Sequence, residues 1–247
     1  MKKRILTVSV FPLLFMLLGI LQGCEDDDDV IIITRYYAYE DAEEAIAVSL
    51  SYGTYGMVSN MNRASEEIQE NNDCDSLYQK TDSFYDETYT GYISYEYEYQ
   101  EAYIWSCEPD SKVEYDLSAT QHLEVVRANY DHEIELDFDI TGLDEANEAE
   151  AYSGTYKRTG EWESNYNQET YSFEFDSTLI ETLVSKESNK IYAGTATFTL
   201  VQNYSYSNVT YTYEGTVEFV SDEEARVEFD SGEVFYVDLG NISIAED

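Results

Sequence analysis

The chain has 247 residues, 52 of them acidic and 13 basic, for a formal net charge of −39 with only two histidines. A field of that sign and size excludes nucleic acid as a partner, because phosphate binding depends on Lys and Arg, and it disfavours charge-driven attachment to anionic lipid. It favours solubility, cationic partners and stability that rises with salt. The length is enough to bury a real core, roughly 70% of the unfolded surface. With 25 tyrosines, 10 phenylalanines and two prolines, the composition favours strands and one β-rich domain without an internal linker.

The N-terminus reads as an address. Lys2, Lys3 and Arg4 precede an apolar run from Ile5 to Ile20, interrupted by Thr7, Ser9 and Pro12. This is the layout of a secretory signal. The run is slightly short of the about 20 apolar residues that span a bilayer, and a proline in mid-helix weakens a permanent span. Leu21-Gln22-Gly23-Cys24 resembles a bacterial lipobox, with Gln22 in place of the usual small residue. The resemblance implies cleavage after Gly23, a diacylglycerol on the Cys24 thiol and a further acyl chain, such as palmitate, on the new amino group. The alternative is an uncleaved N-terminal helix. Loss of residues 1–23 removes three basic residues and no acid, so the mature chain is more negative still. Two or more acyl chains anchor firmly, at roughly 0.8 kcal/mol per buried CH₂.

Residues 24–40 read as an acidic tether and lead-in segment. Glu25 to Asp29 are five consecutive acids that repel one another and stay solvated and extended. The run is similar to the acidic segment that follows the lipid cysteine in surface-displayed lipoproteins of the Bacteroidota, which implies an outer-membrane protein facing outward. Read as a plain charged tether, it leaves the periplasmic face of the envelope open. Val30 to Ile33 is expected to be a strand or a buried lead-in.

Residues 41–247 are expected to form a single β-rich domain opening with a helical region over 41–70. Asp41-Ala-Glu-Glu44 resembles a capping box. Ala42, Ala45, Ile46, Ser49 and Leu50 then recur at helical spacing, Gly53 and Gly56 interrupt, and Val58, Met61, Ala64, Ser65 and Ile68 resume. From residue 84 the period becomes two. Tyr89, Gly91, Ile93, Tyr95, Tyr97 and Tyr99 share one face, with Glu96, Glu98 and Gln100 on the other. Ile134 to Ile140, Tyr171 to Phe175, Val209 to Tyr213, Val217 to Phe219, Val227 to Phe229 and Val234 to Leu239 continue the pattern. About nine or ten strands predict a mainly β fold: an antiparallel curved sheet, sandwich or open barrel with one N-terminal helical segment.

Tyr-x-Gly recurs as Tyr89-Thr-Gly91, Tyr152-Ser-Gly154, Tyr192-Ala-Gly194 and Tyr213-Glu-Gly215. A strand glycine weakens pairing unless a bulky neighbour covers it, so these positions are expected to be curvature points covered by tyrosine, unless the recurrence is chance in a Tyr-rich chain. The segments YEYEYQEAYIWSC, DFDITGLDEA, YSGTYKRTGEWES, IYAGTATFTL and YTYEGTVEF resemble uncharacterised β-rich surface lipoproteins of the Bacteroidota type. That resemblance implies a signal, acidic tether, helical segment and β-rich body, and implies no activity.

With Cys24 taken by lipid, Cys74 and Cys107 remain as an even pair in an exported chain, which predicts one disulfide. Closing a loop of about 33 residues is worth about 3–4 kcal/mol on a chain-entropy argument. Two buried free thiols are the alternative.

Motifs for chemistry are sparse. Asp137, Asp139, Thr141, Gly142 and Glu148 match EF-hand loop positions and make a candidate calcium site. Against it, Asp144 stands where an apolar residue belongs, and the preceding segment alternates as a strand. His122 and His132 have no metal-ligand spacing and are expected on the surface or at strand edges. No catalytic motif is present, and no cofactor other than calcium is suggested. The function expected from the sequence is a noncatalytic, lipid-anchored envelope protein, held to the membrane by its N-terminal lipid and binding a glycan or protein ligand or serving structure. The rivals are a carrier with an apolar cavity inside a curved sheet, and a glycan-active hydrolase.

Overall fold

The computed structural model describes residues 27–87, 93–108, 111–125, 128–144, 146–164, 170–205 and 207–240, with side chains described from residue 39. The expected signal peptide, Cys24, the first acids of the tether and Tyr89-Thr-Gly91 lie outside these residues. Two compact units divide at Asp41, and the second, Asp41–Asp247, holds the sheet.

A helix, α1 (Asp27–Leu50), stands where the later part of the extended tether and the strand or buried lead-in at Val30 to Ile33 are expected. No Gly or Pro interrupts the chain from Asp27 to Gly53. Its C-terminus is closed by hydroxyls. Ser49 Oγ donates to Ala45 O at 2.7 Å and Ser51 Oγ to Ala47 O at 2.7 Å, second bonds to carbonyls of the last turns, while Thr54 Oγ1 donates to Val48 O at 2.6 Å, a carbonyl past the end of the helix ladder. One 3₁₀ turn, Tyr52–Thr54, leads to α2 (Met57–Glu70). Gly56 sits at the junction because a Cβ there would stand 2.7 Å from Ser49 O and 2.8 Å from Ser51 O. The interruption expected from Gly53 and Gly56 thus falls at residues 51–56. Ala42, Ala45, Ile46, Ser49 and Leu50 on α1, and Val58, Met61, Ala64, Ser65 and Ile68 on α2, are all buried as their spacing requires.

Ten strands follow in sequence: β1 (Leu77–Glu87), β2 (Ile93–Ser106), β3 (Lys112–Val125), β4 (Ala128–Thr141), β5 (Ala149–Ser164), β6 (Thr170–Ser185), β7 (Ile191–Tyr204), β8 (Val209–Phe219), β9 (Glu224–Phe229) and β10 (Val234–Asp238). Each pairs antiparallel with the next, in one open sheet whose order is the sequence order. It is neither a sandwich nor a closed barrel. Most strands exceed the usual five or six residues, and register shifts at Tyr152/Gly154 and at Ile180/Leu183 relieve them.

The alternation assigns faces as expected. Tyr95, Tyr97, Tyr99 and Tyr103 are buried, while Glu96, Glu98 and Gln100 are exposed. From Asp41 on, the helical residues lie on the buried face. Tyr97 Oη donates to Asn60 Oδ1 at 3.1 Å, Tyr103 Oη to Glu67 O at 3.0 Å and Tyr152 Oη to Met61 O at 3.4 Å. Tyr130 Oη donates to Glu44 Oε1 at 2.5 Å and Tyr204 Oη to Asp41 Oδ2 at 2.7 Å. Tyrosine is therefore core and fastener at once: the ring buries area and the hydroxyl reaches a helix.

The four strand glycines among the described residues follow a different rule from the expected one. Gly154, Gly160, Gly194 and Gly215 stand opposite Phe138, Phe173, Phe219 and Phe198, respectively. At Gly215 the Phe198 ring comes within 2.9 Å of where a Cβ would be, and at Gly160 the Phe173 ring within 2.6 Å. At these two positions the covering ring is a phenylalanine of the neighbouring strand, not a tyrosine of the Tyr-x-Gly motif, whereas Gly154 is approached by the Asp137 backbone and Gly194 by Thr182.

Cys74 and Cys107 form the expected disulfide, with Cα atoms 5.6 Å apart. It closes just outside the paired ends of β1 and β2 and fastens the edge strand to its neighbour.

Candidate functional site

The outer face of the sheet is built of rows. A period of two sends one set of side chains out from each strand, and the register aligns these sets across strands about 4.8 Å apart. One row runs Glu98, Thr120, Glu133, Thr159, Glu174 across β2 to β6. The next runs Glu96, His122, Asp131, Glu161, Ser172, Asn203 across β2 to β7. In the first row the acids repeat on alternate strands, about 10 Å apart, with a threonine hydroxyl between them. The two rows line an open cleft of about 780 Å³ that includes Glu96, Glu98, Asp131, Glu133, Glu161 and Glu174.

Three groups lining the cleft depart from ordinary ionisation: His122, Glu174 and the buried His132. His122 places Nδ1 2.7 Å from Asp131 Oδ1 and Nε2 3.4 Å from Glu124 Oε1. The hydrogen bond to Asp131 raises its pKa above the free-imidazole value, so the ring keeps its proton closer to neutrality. Glu174 accepts from Lys157 Nζ at 2.7 Å, and this bond lowers its pKa. Six carboxylates line the cleft against the exposed imidazole of His122, the buried imidazole of His132 and the Lys157 ammonium at its border. The arrangement can hold positive charge through carboxylates and orient donors through Thr120, Thr159 and Ser172.

The structure places the EF-hand residues apart from this cleft. Asp137, Asp139 and Thr141 run in β4, the two aspartates paired on both sides and Thr141 with β5, and Glu148 lies just before β5. A calcium loop wraps its ligands around one point, whereas a strand spaces them along a line at about 6.8 Å. Asp139 instead meets Lys112 at 2.6 Å. Among the described residues no group of three or more His, Cys, Asp or Glu is arranged to hold a metal ion.

His122 is at the surface, as expected, but His132 is 2% exposed. Its neighbour in the core is Arg158, fully buried, whose guanidinium donates from Nη2 to Gln121 Oε1 and His132 Nδ1, and from Nη1 to Val48 O at 2.8 Å and Thr54 O at 3.3 Å. Burial, then the Arg158 charge, holds His132 well below the usual imidazole value. Accepting from Arg158 at Nδ1 assigns the neutral tautomer with hydrogen on Nε2. Two buried acids accompany them, Glu101 and Glu150, each 1% exposed: Glu101 accepts from Tyr115 and is raised by burial, and Glu150 accepts from Gln69 Nε2 at 3.1 Å and Tyr152 Oη at 3.0 Å. None of Arg158, His132 or Glu101 is marked by residue type. Strand parity marks them: His132 is in phase with Tyr130, Ile134 and Phe138, and Arg158 with Tyr152 and Tyr156.

Among the described residues no helix is long and apolar enough to cross a membrane. Comparison with protein-family models, curated proteins and solved structures finds no match.

Proposed function

We propose that the chain is a lipid-anchored protein of the outer membrane, held by Cys24, whose β body is a noncatalytic binder facing outward and taking a Lys- or Arg-bearing peptide segment along the acid-and-hydroxyl rows of its outer sheet face. The observation that carries this reading is the cleft over β2 to β7, where six carboxylates from four strands are brought together beside His122 and the buried His132. Cations are the complement of such a surface, and phosphates and anionic lipid are repelled by it. The lipobox-like Leu21-Gln22-Gly23-Cys24 supports the anchor. A body of this charge stands off the anionic surface to which the lipid tethers it. A carrier would need room between sheet and helices, and that space is where Arg158, Tyr97, Tyr115, Tyr152 and Phe138 are fully buried.

The test is titration of the full-length protein in detergent with an oligolysine peptide. Binding should weaken steeply with salt, and the triple variant Glu98→Gln, Glu133→Gln, Glu174→Gln should lose about tenfold or more in affinity at low salt. Equal binding by wild type and variant would remove the cleft from the reading.

A further inference from the structure

The sheet is open, so it has two edges, and they are unequal. Among the described residues β1 pairs with β2 alone and β10 with β9 alone. The β10 edge is five residues long, whereas the β1 edge offers eleven. The strand is held flat against β2 along its whole length, from Leu77↔Ile104 to Glu87↔Ser94, and is locked at one end by Cys74–Cys107. A long, held edge with no further strand on it among the described residues is a template for another strand.

We propose that β1 pairs antiparallel with β1 of a second copy of this chain about a two-fold axis at Thr81, joining two sheets into one of twenty strands. The sequence of the strand specifies this register. With Thr81 opposite Thr81 of the second copy, Lys80 faces Asp82, Tyr78 faces Phe84, Gln79 faces Ser83 and Leu77 faces Tyr85. Each contact occurs twice. Leu77 and Tyr85 are among the most exposed large apolar side chains, at 58% and 65%, and they share the outer face. Tyr78 and Phe84 are half-buried on the inner face, where Tyr78 stacks on Tyr103 at 4.9 Å and Phe84 meets Tyr97 at 5.3 Å. The second copy would extend both aromatic rows.

Other registers are penalised. A slip of one residue sets inner side chains against outer ones. A slip that keeps the faces sets Lys80 opposite Lys80 in one direction and Asp82 opposite Asp82 in the other, and like charges directly opposite destabilise a pair. Lys80 already meets Glu67 of its own α2 and has 43% of its side chain exposed, so its outward side is open to a second carboxylate. The isologous contact closes on itself and gives a dimer, not a fibre. The net charge of −39 opposes association, so dimerisation should tighten with salt.

Site-directed cross-linking of the full-length protein in detergent tests this, read by non-reducing electrophoresis beside sedimentation of the uncross-linked protein. Thr81→Cys places the new thiol opposite itself, within the 4.4–6.8 Å Cα range of a disulfide, and should give a covalent dimer that wild type does not. Gln79→Cys alone should not cross-link, and mixed with Ser83→Cys it should. Lys80→Asp should raise the dimer dissociation constant about tenfold, and adding Asp82→Lys should restore it. Restoration distinguishes cross-strand pairing from loss of the Glu67 contact, which the double variant also lacks. A monomer at all concentrations and salts, or a dimer indifferent to Lys80→Asp and not trapped by Thr81→Cys, would overturn the proposal.

Discussion

Arg158 Nη1 lies 2.8 Å from the carbonyl oxygen of Val48, so a guanidinium from the middle of β5 reaches the last turn of α1. A cation at a helix C-terminus is favoured by the dipole, and here it is also one of the few groups that can satisfy carbonyls turned away from water. Burial lowers its pKa, but its acceptors on α1, the 3₁₀ turn, β3 and β4 keep the charge solvated by protein. Arg158→Ala would leave a cavity and unmet acceptors and should lower stability by about 3–5 kcal/mol in urea melts. Arg158→Lys, which lacks the fork, should fall between. A loss under 1 kcal/mol for the alanine variant would show that the helices are held by area alone.

Glu44 should make stability depend on pH in the sense opposite to ordinary acid denaturation. Burial raises its carboxyl above the free value, against a smaller lowering by the Tyr130 hydroxyl. A group raised on folding contributes stability that is complete below the unfolded pKa and drains as pH climbs through the folded one. Glu44→Gln keeps the acceptor for Tyr130 without the charge. Its melting temperature should match wild type at pH 4 and exceed it increasingly toward neutrality. A constant gap across that range would contradict the assignment.

The buried tyrosines set the alkaline limit. Burial pushes Tyr103 and Tyr156 up to about 12. By the same sign rule their contribution is complete below the ordinary phenol value of about 10 and is lost as pH rises through about 12. Tyrosinate absorbance should therefore show a late fraction that appears together with loss of the folded circular dichroism signal. A single smooth titration centred near 10 in the folded protein would be inconsistent with it.

Gly154 has φ +134°, and a Cβ there would strike the Asp137 carbonyl oxygen on β4. Both the backbone conformation and the approach of the neighbouring strand exclude a side chain. Gly154→Ala should cost about 2–4 kcal/mol, measurable by thermal melts, and a neutral effect would place the strands further apart than described.

Removing the Cys74–Cys107 bridge by a double serine substitution should cost about 3–4 kcal/mol and act first on β1, the strand it fastens to the sheet. Hydrogen exchange should lose protection over 77–87 before the central strands. Unchanged protection there would assign the edge strand's order to pairing alone.

The fold was legible where residue type and period agree. Tyr95, Tyr97 and Tyr99 between Glu96 and Glu98 could be read as a half-buried strand because apolar and charged residues alternate without exception. Reading failed where type and phase conflict. Arg158, His132 and Glu101 occupy inward positions, and only parity reveals them, because charge by itself argues for the surface. Val30 to Ile33 are expected from the sequence as a strand or a buried lead-in, yet they belong to α1, in a run from Asp27 that no Gly or Pro interrupts before Gly53. The EF-hand match counted positions along a loop, and β4 laid the same residues along a line. The cleft was invisible for a physical reason: its rows exist only once five registers between six strands are set, and in a chain with 52 acids no single carboxylate stands out beforehand.

The most direct test of the proposed anchored binder is the intact mass of the full-length protein expressed in an envelope-bearing host, together with detergent-phase partitioning. The account predicts a chain beginning at Cys24 that carries the added mass of acyl chains and enters the detergent phase, with Cys24→Ala lacking both. A chain beginning at Met1 with no lipid mass, remaining in the aqueous phase, would contradict it.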